Sequence, residues 1–268
     1  MFRIDLAGKG SSGKSTLVPP LVARLKQGRR LLVVDADPHL SAAHLLGITP
    51  PETLGTLRSR YEREFKTGQG IPKGDDDTRD EFAERQMATQ ALCHCDGFDF
   101  LAMGRWELAG SQCTVNRVLE RALESLARQY DVVLVDNEAG VEHVGRFAST
   151  PIDLLLLMAT PEALSLNVAA KIMAHCREVQ RPVRQSLLLL NRVLEGDLSD
   201  AKIMQQINAL QVVVAGTILE SVAMRRGADG DIAWEASVQQ ALSSVLRLVW
   251  QSKPLPALEL LKEGRHVV

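Results

Sequence analysis

The sequence has few aromatic residues, few cysteines and no long apolar run, and each scarcity narrows the class of protein. Aromatic residues make up 4% of its 268 residues, and there are four cysteines. So small a number of cysteines favours free thiols or metal ligands over a disulfide framework. No apolar run approaches the roughly 20 residues that span a bilayer, and the N-terminus predicts a strand rather than a signal peptide. We therefore expect a cytoplasmic protein.

An excess of charge of either sign is also missing. The 31 Lys and Arg residues nearly balance the 33 Asp and Glu residues, which gives a net charge of −2 and a pI of about 6.3. Proteins that bind DNA or RNA usually present a strongly basic face. We therefore expect no nucleic acid as partner. The segment Ala257–Val268 is not strongly basic and would make a poor amphipathic anchor, so we expect no membrane as partner either.

Short apolar segments alternate with helical patterns, which is typical of βαβ units and a mostly parallel sheet. The predicted strands are Phe2–Ala7, Arg30–Asp35, Phe98–Met103, Val132–Asp136, Ile152–Met158, Leu187–Leu190 and Val212–Ile218. Helical patterns cover Leu21–Gln27, Asn116–Gln129, Ala163–Val179, Leu198–Leu210 and Val238–Trp250. Residues 50–95 are charged and interrupt this rhythm, so we interpret them as an insertion that leaves the sheet. We predict a single domain over residues 1–268.

The first predicted strand leads into Gly8-Lys9-Gly10-Ser11-Ser12-Gly13-Lys14-Ser15, which fits the phosphate-binding pattern G-x-x-x-x-G-K-[ST]. Glycines let successive backbone N–H groups turn towards phosphate oxygens, and the start of the following helix adds a partial positive charge there. Lys14 can reach the β- and γ-phosphates of a nucleotide, while the Ser15 hydroxyl can bind Mg²⁺. The predicted phosphate-binding residues are Gly10, Ser11, Ser12, Gly13, Lys14, Ser15 and Thr16.

Carboxylates follow two further predicted strands. Asp35 and Asp37 end the second strand, and Asp136 ends the strand Val132–Asp136. Open α/β sheets bind ligands at the carboxyl ends of their strands. An aspartate after a buried apolar strand is the Walker B arrangement, so we expect Asp136 to reach the Mg²⁺.

Lys9, at the second position of the loop, gives it a resemblance to the deviant Walker A motif of the nitrogenase iron protein, MinD, ParA and the CooC nickel-insertion ATPases. The run D-N-E-A-G-V-E-H from Asp136 to His143 resembles the CooC signature D-T-E-A-G-L-E-H. Thr160-Pro161 and Asn191-Arg192 also recur in that family. This resemblance implies a three-layer α/β P-loop NTPase fold, with about seven mostly parallel strands and helices on both faces.

The resemblance also implies roles for individual residues. Lys9 would cross a homodimer interface to the partner's nucleotide, Asp37 would position or activate the attacking water, and Asn191 would contact adenine. ATP and Mg²⁺ are the implied cofactors. Lys9, Lys14, Asp37 and Asp136 form the predicted catalytic set.

The sequence departs from the family pattern at three places. Ser11 stands where the family usually has glycine. Pro19-Pro20 falls where the first helix would continue, so we expect a kink or break after about one turn. Ile218-Leu219-Glu220-Ser221 replaces the family's Ile-Pro-x-Asp, so base contacts from that loop are not predicted.

The cysteines raise the question of a metal. CooC proteins carry a metal-binding Cys-x-Cys, of which Ser111 replaces the first member here and Cys113 keeps the second. Cys113 could therefore bind Ni²⁺ or Zn²⁺ between two subunits, with His143 as a further candidate ligand. Cys93-His94-Cys95 has suitable ligand types, but a loop before the third strand would lie about 20 Å from the nucleotide edge. Cys176 is predicted to be buried in the core.

The resemblance thus implies an ATP-hydrolysing dimeric maturation factor that assists nickel insertion into a client such as carbon monoxide dehydrogenase. Two alternatives stay open: a positioning ATPase like MinD or ParA, and an electron carrier like the nitrogenase iron protein. The carrier needs two interfacial cysteines per subunit, of which only Cys113 is a candidate.

Overall fold

The computed structural model describes residues 1–66, 86–105, 120–121, 123–126, 128–141, 151–180, 182–221 and 232–252. Eight strands within these ranges form one sheet in the order β3-β4-β2-β5-β1-β6-β7-β8. All neighbours are parallel except β3 and β4, which are antiparallel. The strands are β1 (Phe2–Gly8), β2 (Leu31–Ala36), β3 (Leu92–Cys95), β4 (Phe98–Ala102), β5 (Val132–Asn137), β6 (Ile152–Ala159), β7 (Val183–Val193) and β8 (Val213–Leu219).

Helices cover both faces of the sheet, as the three-layer prediction requires. The helices α1 (Lys14–Leu25), α2 (Ser41–Leu45) and α6 (Ile232–Ser252) contribute to the core on one face, and α3 (Leu54–Lys66), α4 (Ala163–Glu178) and α5 (Ala201–Ala209) to that on the other. A short 3₁₀ helix, Asp197–Ser199, precedes α5. No helix in the described ranges combines the length and apolar character needed to cross a membrane.

The central strands are mostly apolar because both of their faces are covered. Every residue of β1, β2, β5 and β6 is buried. All seven predicted strands are present, with ends shifted by a few residues, and β3 is the strand that the sequence did not predict. The largest shift is in β7, which begins at Val183 rather than Leu187.

The predicted break in the first helix is wrong. Helix α1 runs from Lys14 to Leu25 with Pro19 and Pro20 inside it. Each proline removes one backbone donor, but the helix buries apolar side chains on both sides of the pair. Leu17, Val18, Leu21 and Val22 are at most 3% exposed, and this packing stabilises the helix across the two missing hydrogen bonds.

Apolar residues of the segment interpreted as an insertion belong to the core. Leu54, Leu57 and Tyr61 of α3 and the helical residues 86–91 pack against β2, β4 and β5. Residues 92–95 then join the sheet as β3. The described part of the segment is thus mostly helical, apart from residues 92–95, which the interpretation placed outside the sheet. The acidic run at residues 74–80 lies outside the described residues.

A buried polar cluster interrupts the apolar face around β1. Arg3 and Asp5 form a two-point ion pair, with 2.6 Å between Nε and Oδ1 and 2.9 Å between Nη2 and Oδ2, and both are at most 1% exposed. The Asn137 side chain donates to Asp5 Oδ2 at 3.3 Å and to the Leu6 carbonyl at 3.0 Å. The cluster therefore joins β1 to the end of β5, next to Asp136.

Removing one partner of this pair should be costly. Asp5→Ala leaves the Arg3 charge buried without its carboxylate, so the free energy of unfolding should fall by about 3–5 kcal/mol. Arg3→Met with Asp5→Leu removes both charges and should recover most of that loss. Denaturant unfolding measures both. The control, Asp131→Ala, breaks the exposed pair with Arg30 and should cost less than about 1 kcal/mol; a similar loss in Asp5→Ala would contradict this account.

Candidate nucleotide-binding site

The sheet order places three polar strand ends side by side. Strand β5 lies between β1 and β2, and Asp136 is in register with Leu6 on one side and Asp35 on the other. Because these strands are parallel, the loops that follow Gly8, Ala36 and Asn137 emerge at the same edge. This edge therefore holds the phosphate loop and the predicted carboxylates together.

The phosphate loop is a tight turn that leads directly into α1. The Ser12 amide donates to the Lys9 carbonyl at 3.2 Å, and the Leu17 amide donates to the Gly13 carbonyl at 3.2 Å. Gly13 has φ +95° and Ser11 has φ +65°. Residues with a side chain are disfavoured in this left-handed region, which explains physically why glycine would suit the position of Ser11. The loop nevertheless adopts this turn with serine.

Lys14 is the buried cation of the site. Its ammonium group donates to the Gly8 and Lys9 carbonyls, at 3.3 Å each. Burial lowers the pKa of Lys14, and the nearby Asp136, Asp37 and Glu138 oppose that shift. A nucleotide phosphate would supply the strong acceptors that two long bonds to carbonyls do not.

The carboxylate of Asp136 has the properties expected of a magnesium ligand. Both of its carboxylate oxygens are buried without a hydrogen-bond partner among the described residues. Burial, together with Asp35 and Asp37, raises the pKa of Asp136 to about 7, and the Ser15 hydroxyl and Lys14 partly oppose this rise. The Ser15 hydroxyl lies near the carboxylate but does not meet hydrogen-bond geometry. A hydroxyl and an unpaired carboxylate side by side fit Mg²⁺, which prefers oxygen ligands.

Asp35 is a support for the loop after β2. It is fully buried, and its two oxygens accept hydrogen bonds from the amides of Asp37, at 3.1 Å, and Ala43, at 3.0 Å. Burial raises the pKa of Asp35 to about 6. Asp37 is half-buried at the edge itself and accepts hydrogen bonds from His39. Asp35 therefore holds the loop from within the protein, whereas Asp37 lies at its exposed edge.

The segment after β5 touches the phosphate loop. A side chain at Gly10 would lie 3.6 Å from Ala139, so the two loops are in contact distance of each other. Gly140 follows with φ +122°. The described start of the D-N-E-A-G-V-E-H run is thus placed where it could respond to a γ-phosphate.

Asn191, at the end of β7, holds the phosphate loop from outside. Its amide nitrogen donates to the Ser12 carbonyl at 2.9 Å, and its side-chain oxygen accepts from the Arg192 amide. A Cβ atom at Gly13 would lie only 2.1 Å from this nitrogen. Glycine at position 13 therefore suits the backbone conformation and lets Asn191 reach the Ser12 carbonyl without moving.

A small cavity of about 70 Å³ opens beside Asn191. It is lined by Gly13, Thr16, Asn191, Arg192, Leu219, Glu220, Ser221 and Trp234. The loop after β8 was not predicted to contribute base contacts, yet its residues line this cavity. The aromatic ring of Trp234 and the polar groups of Asn191 and Glu220 suit a nucleotide base.

The model of the CobQ/CobB/MinD/ParA nucleotide binding domain matches residues 6–232 of the chain. The chain belongs to this family. It is a P-loop ATPase of the MinD, ParA and CooC type, which confirms the activity and the fold class predicted from the phosphate loop.

This ATPase has relatives of known sequence and known structure. The carbon monoxide dehydrogenase accessory protein CooC of Rhodospirillum rubrum is 33% identical over 195 residues, covering 66% of this chain and 70% of CooC. An uncharacterized ATP-binding protein of Methanocaldococcus jannaschii is 29% identical over 191 residues, covering 71% and 74%. The structure of MinD from Pyrococcus horikoshii complexed with Mg-ADP aligns with a TM-score of 0.63 at 18% identity, covering 94% and 98%.

The predicted metal ligands of this ATPase are only partly described. Ser111, Cys113 and His143 lie outside the described residues. Within the described ranges, no group of three or more His, Cys, Asp or Glu side chains is arranged to hold a metal ion. Cys176 is buried in α4, as predicted.

Cys93-His94-Cys95 forms strand β3 rather than the predicted loop. Cys95 pairs with Phe98 at the start of β4, so it lies at the sheet end away from the nucleotide edge, as expected. The cysteines pack towards the core on the α1 side, while His94 contacts Asp99 at 2.6 Å. Burial raises the pKa of the Cys95 thiol to about 11, which disfavours the thiolate that a metal needs.

Sequence patterns did not reveal the side chains that hold the loops in place. Three such contacts involve side chains to which the sequence motifs give no structural role. They are the bond of Asn191 to Ser12, the contact of His39 with Asp37 and the bond of Asn137 to Asp5. Of these contacts, only that of His39 could have been predicted from the local sequence, because His39 stands two residues after Asp37 with a proline between them.

Gly13→Ala should abolish ATP binding. The added methyl group collides with the Asn191 amide nitrogen and strains a residue with φ +95°, so the loop and Asn191 cannot both keep their places. Gly28→Ala is the matched control, because Gly28 also has positive φ, +65°, but open space around it. It should cost about 1 kcal/mol of stability and leave ATP binding unchanged. Isothermal titration calorimetry separates the two, and equal ATP affinity in both variants would refute the argument.

The stability of the nucleotide-free protein should depend on Asp136. Its pKa is about 7 in the fold and near 3.8 when unperturbed, so the folded state binds the proton more tightly. The free energy of unfolding should therefore fall as pH rises from about 4 to about 7. Asp136→Asn should flatten this fall between about 6 and 7, above the pKa of Asp35. Urea unfolding across this range is the measurement; an unchanged slope would show that Asp136 ionises normally.

Proposed function

We propose that this ATPase is a dimeric maturation factor that assists nickel insertion into a metalloenzyme such as carbon monoxide dehydrogenase. The observation that carries the proposal is the run from Asp136 to His143. Its described part begins with the buried Asp136 and passes beside the phosphate loop at Ala139. The CooC relative, at 33% identity, supports the same assignment.

Each predicted site residue then has a role. Lys14 binds the β- and γ-phosphates, together with the amides of Gly10, Ser11, Ser12 and Gly13. Ser15 and Asp136 would hold Mg²⁺, which neutralises phosphate charge during hydrolysis. Asp37, at the exposed edge, orients the attacking water.

The adenine base lies against the cavity beside Asn191, which at about 70 Å³ can hold only part of it. For this the Asn191 amide, which donates to Ser12 in the nucleotide-free protein, contacts the base through its remaining hydrogen-bonding capacity. Trp234 and Glu220 line the same cavity. Thr16, in the first turn of α1, lines this cavity next to the phosphate loop.

The dimer couples the nucleotide to the metal. Lys9 is half-buried and its carbonyl already binds Lys14, so its side chain is the part of the loop available to a second subunit's nucleotide. Cys113 of each subunit binds Ni²⁺ or Zn²⁺ at the same interface. ATP holds the two subunits closed, and hydrolysis releases them together with the metal or the client. The metal is cargo on this proposal.

The test measures metal binding and oligomeric state in the same samples. Wild-type protein with a non-hydrolysable ATP analogue should form a dimer that binds Ni²⁺, measured by equilibrium dialysis and sedimentation. Lys9→Ala should lower the dimer fraction more than it lowers ATP binding. Cys113→Ser should lose the metal and keep the nucleotide, since thiolates bind metal and serine does not.

The double variant Cys93→Ser with Cys95→Ser is the matched control and should bind Ni²⁺ like wild type. The opposite pattern, in which this control loses the metal and Cys113→Ser keeps it, would assign the site to β3. Absence of ATP-dependent Ni²⁺ binding, with ATP-dependent sedimentation on liposomes or DNA, would favour a positioning ATPase instead.

A further inference from the structure

The loop after β2 is a turn that both neighbouring elements hold in place. The Leu40 amide donates to the Asp37 carbonyl at 3.0 Å and closes the turn over Pro38 and His39. The buried Asp35 carboxylate accepts the amide of Asp37, where the turn begins, and that of Ala43, just after it. These hydrogen bonds fix the backbone between Asp37 and Ala43 relative to the sheet. The turn brings His39 back next to the Asp37 side chain.

His39 makes two contacts with one oxygen of Asp37. Its backbone amide donates to Asp37 Oδ1 at 2.8 Å, and its ring Nδ1 lies 2.9 Å from the same oxygen. The ring contact requires a proton on Nδ1. The second carboxylate oxygen, Oδ2, accepts no hydrogen bond from any residue that the structure describes. Asp37 thus presents one bound and one available oxygen.

We propose that His39 is a positioning residue for ATP hydrolysis, which fixes the Asp37 carboxylate so that Oδ2 is the oxygen offered to the attacking water. The inference rests on the proposed role of Asp37. A carboxylate at the exposed edge would otherwise rotate about its terminal torsion, which has no sharp preference. Two donors on one oxygen remove that freedom before the nucleotide arrives, and a water must be held in a narrow range of positions to react.

A packing role does not explain the histidine ring. The His39 side chain is 66% exposed, whereas that of Asp37 is 19% exposed. The ring therefore contributes little buried apolar area, and its removal should leave the fold intact. Its contact with Asp37 is the only side-chain interaction that the described residues offer it.

The test is steady-state ATP hydrolysis by substituted full-length protein. His39→Ala should lower kcat about tenfold, the loss expected when one hydrogen bond to a charged group disappears, with KM within about twofold of wild type. His39→Asn should recover most of kcat, because the Asn side-chain nitrogen carries an N–H at the same distance along the chain as His Nδ1. His44→Ala is the control, since His44 is an exposed histidine on the neighbouring helix α2.

Every other outcome of this experiment contradicts a specific part of the proposal. Wild-type kcat in His39→Ala, or equal impairment in His39→Asn and His39→Ala, would overturn the positioning role. A raised KM with unchanged kcat in His39→Ala would overturn it too, because the residue would then act on nucleotide binding. Asp37→Ala is measured in parallel: wild-type hydrolysis there would remove the proposed role of Asp37 itself, whereas impaired hydrolysis confines any failure to His39.

Discussion

The site depends on the attraction between one buried lysine and the carboxylates around it. Lys14 lies close to Asp136, Asp37 and Glu138, and burial works against the charged form of the lysine and of Asp136 alike. Three carboxylates therefore lie near one buried ammonium group. A Mg²⁺-nucleotide adds both a cation for the carboxylates and phosphates for the lysine, so binding satisfies two unfavourable burials at once.

Buried polar contacts hold the strand ends that carry these charges. The ion pair of Arg3 with Asp5 lies within β1, and Asn137 connects it to the strand end that carries Asp136. Asp35 does the same for β2 by holding the amides of Asp37 and Ala43. The two acids predicted to face the nucleotide, Asp136 and Asp37, therefore each lie within two residues of a buried polar side chain, Asn137 or Asp35.

Much of the fold and the nucleotide site followed from the sequence. Buried strands such as Val132–Asp136 have an apolar pattern that packing on both faces requires, and Gly13, Lys14 and Ser15 are fixed by phosphate chemistry. Long-range contacts had no such pattern. The continuity of α1 through Pro19 and Pro20 is decided by burial against other elements, and the bond of Asn191 to Ser12 joins residues 179 positions apart.

The polar side chains at the two ends of the sheet differ in how many hydrogen bonds they already make, and this difference affects where the proposed metal cargo could bind. At the end away from the nucleotide, Asp99 accepts from Tyr130 at 2.5 Å and contacts His94 at 2.6 Å. Because side chains alternate along β3, His94 and its flanking cysteines face opposite ways. A metal there would have to break these contacts and ionise a thiol whose pKa is about 11. The loop that leads towards Cys113 begins instead at the nucleotide edge, where the Gly55 amide donates to the Met103 carbonyl at 2.8 Å. On the proposed function, a metal coupled to ATP would therefore be held after β4 rather than on β3.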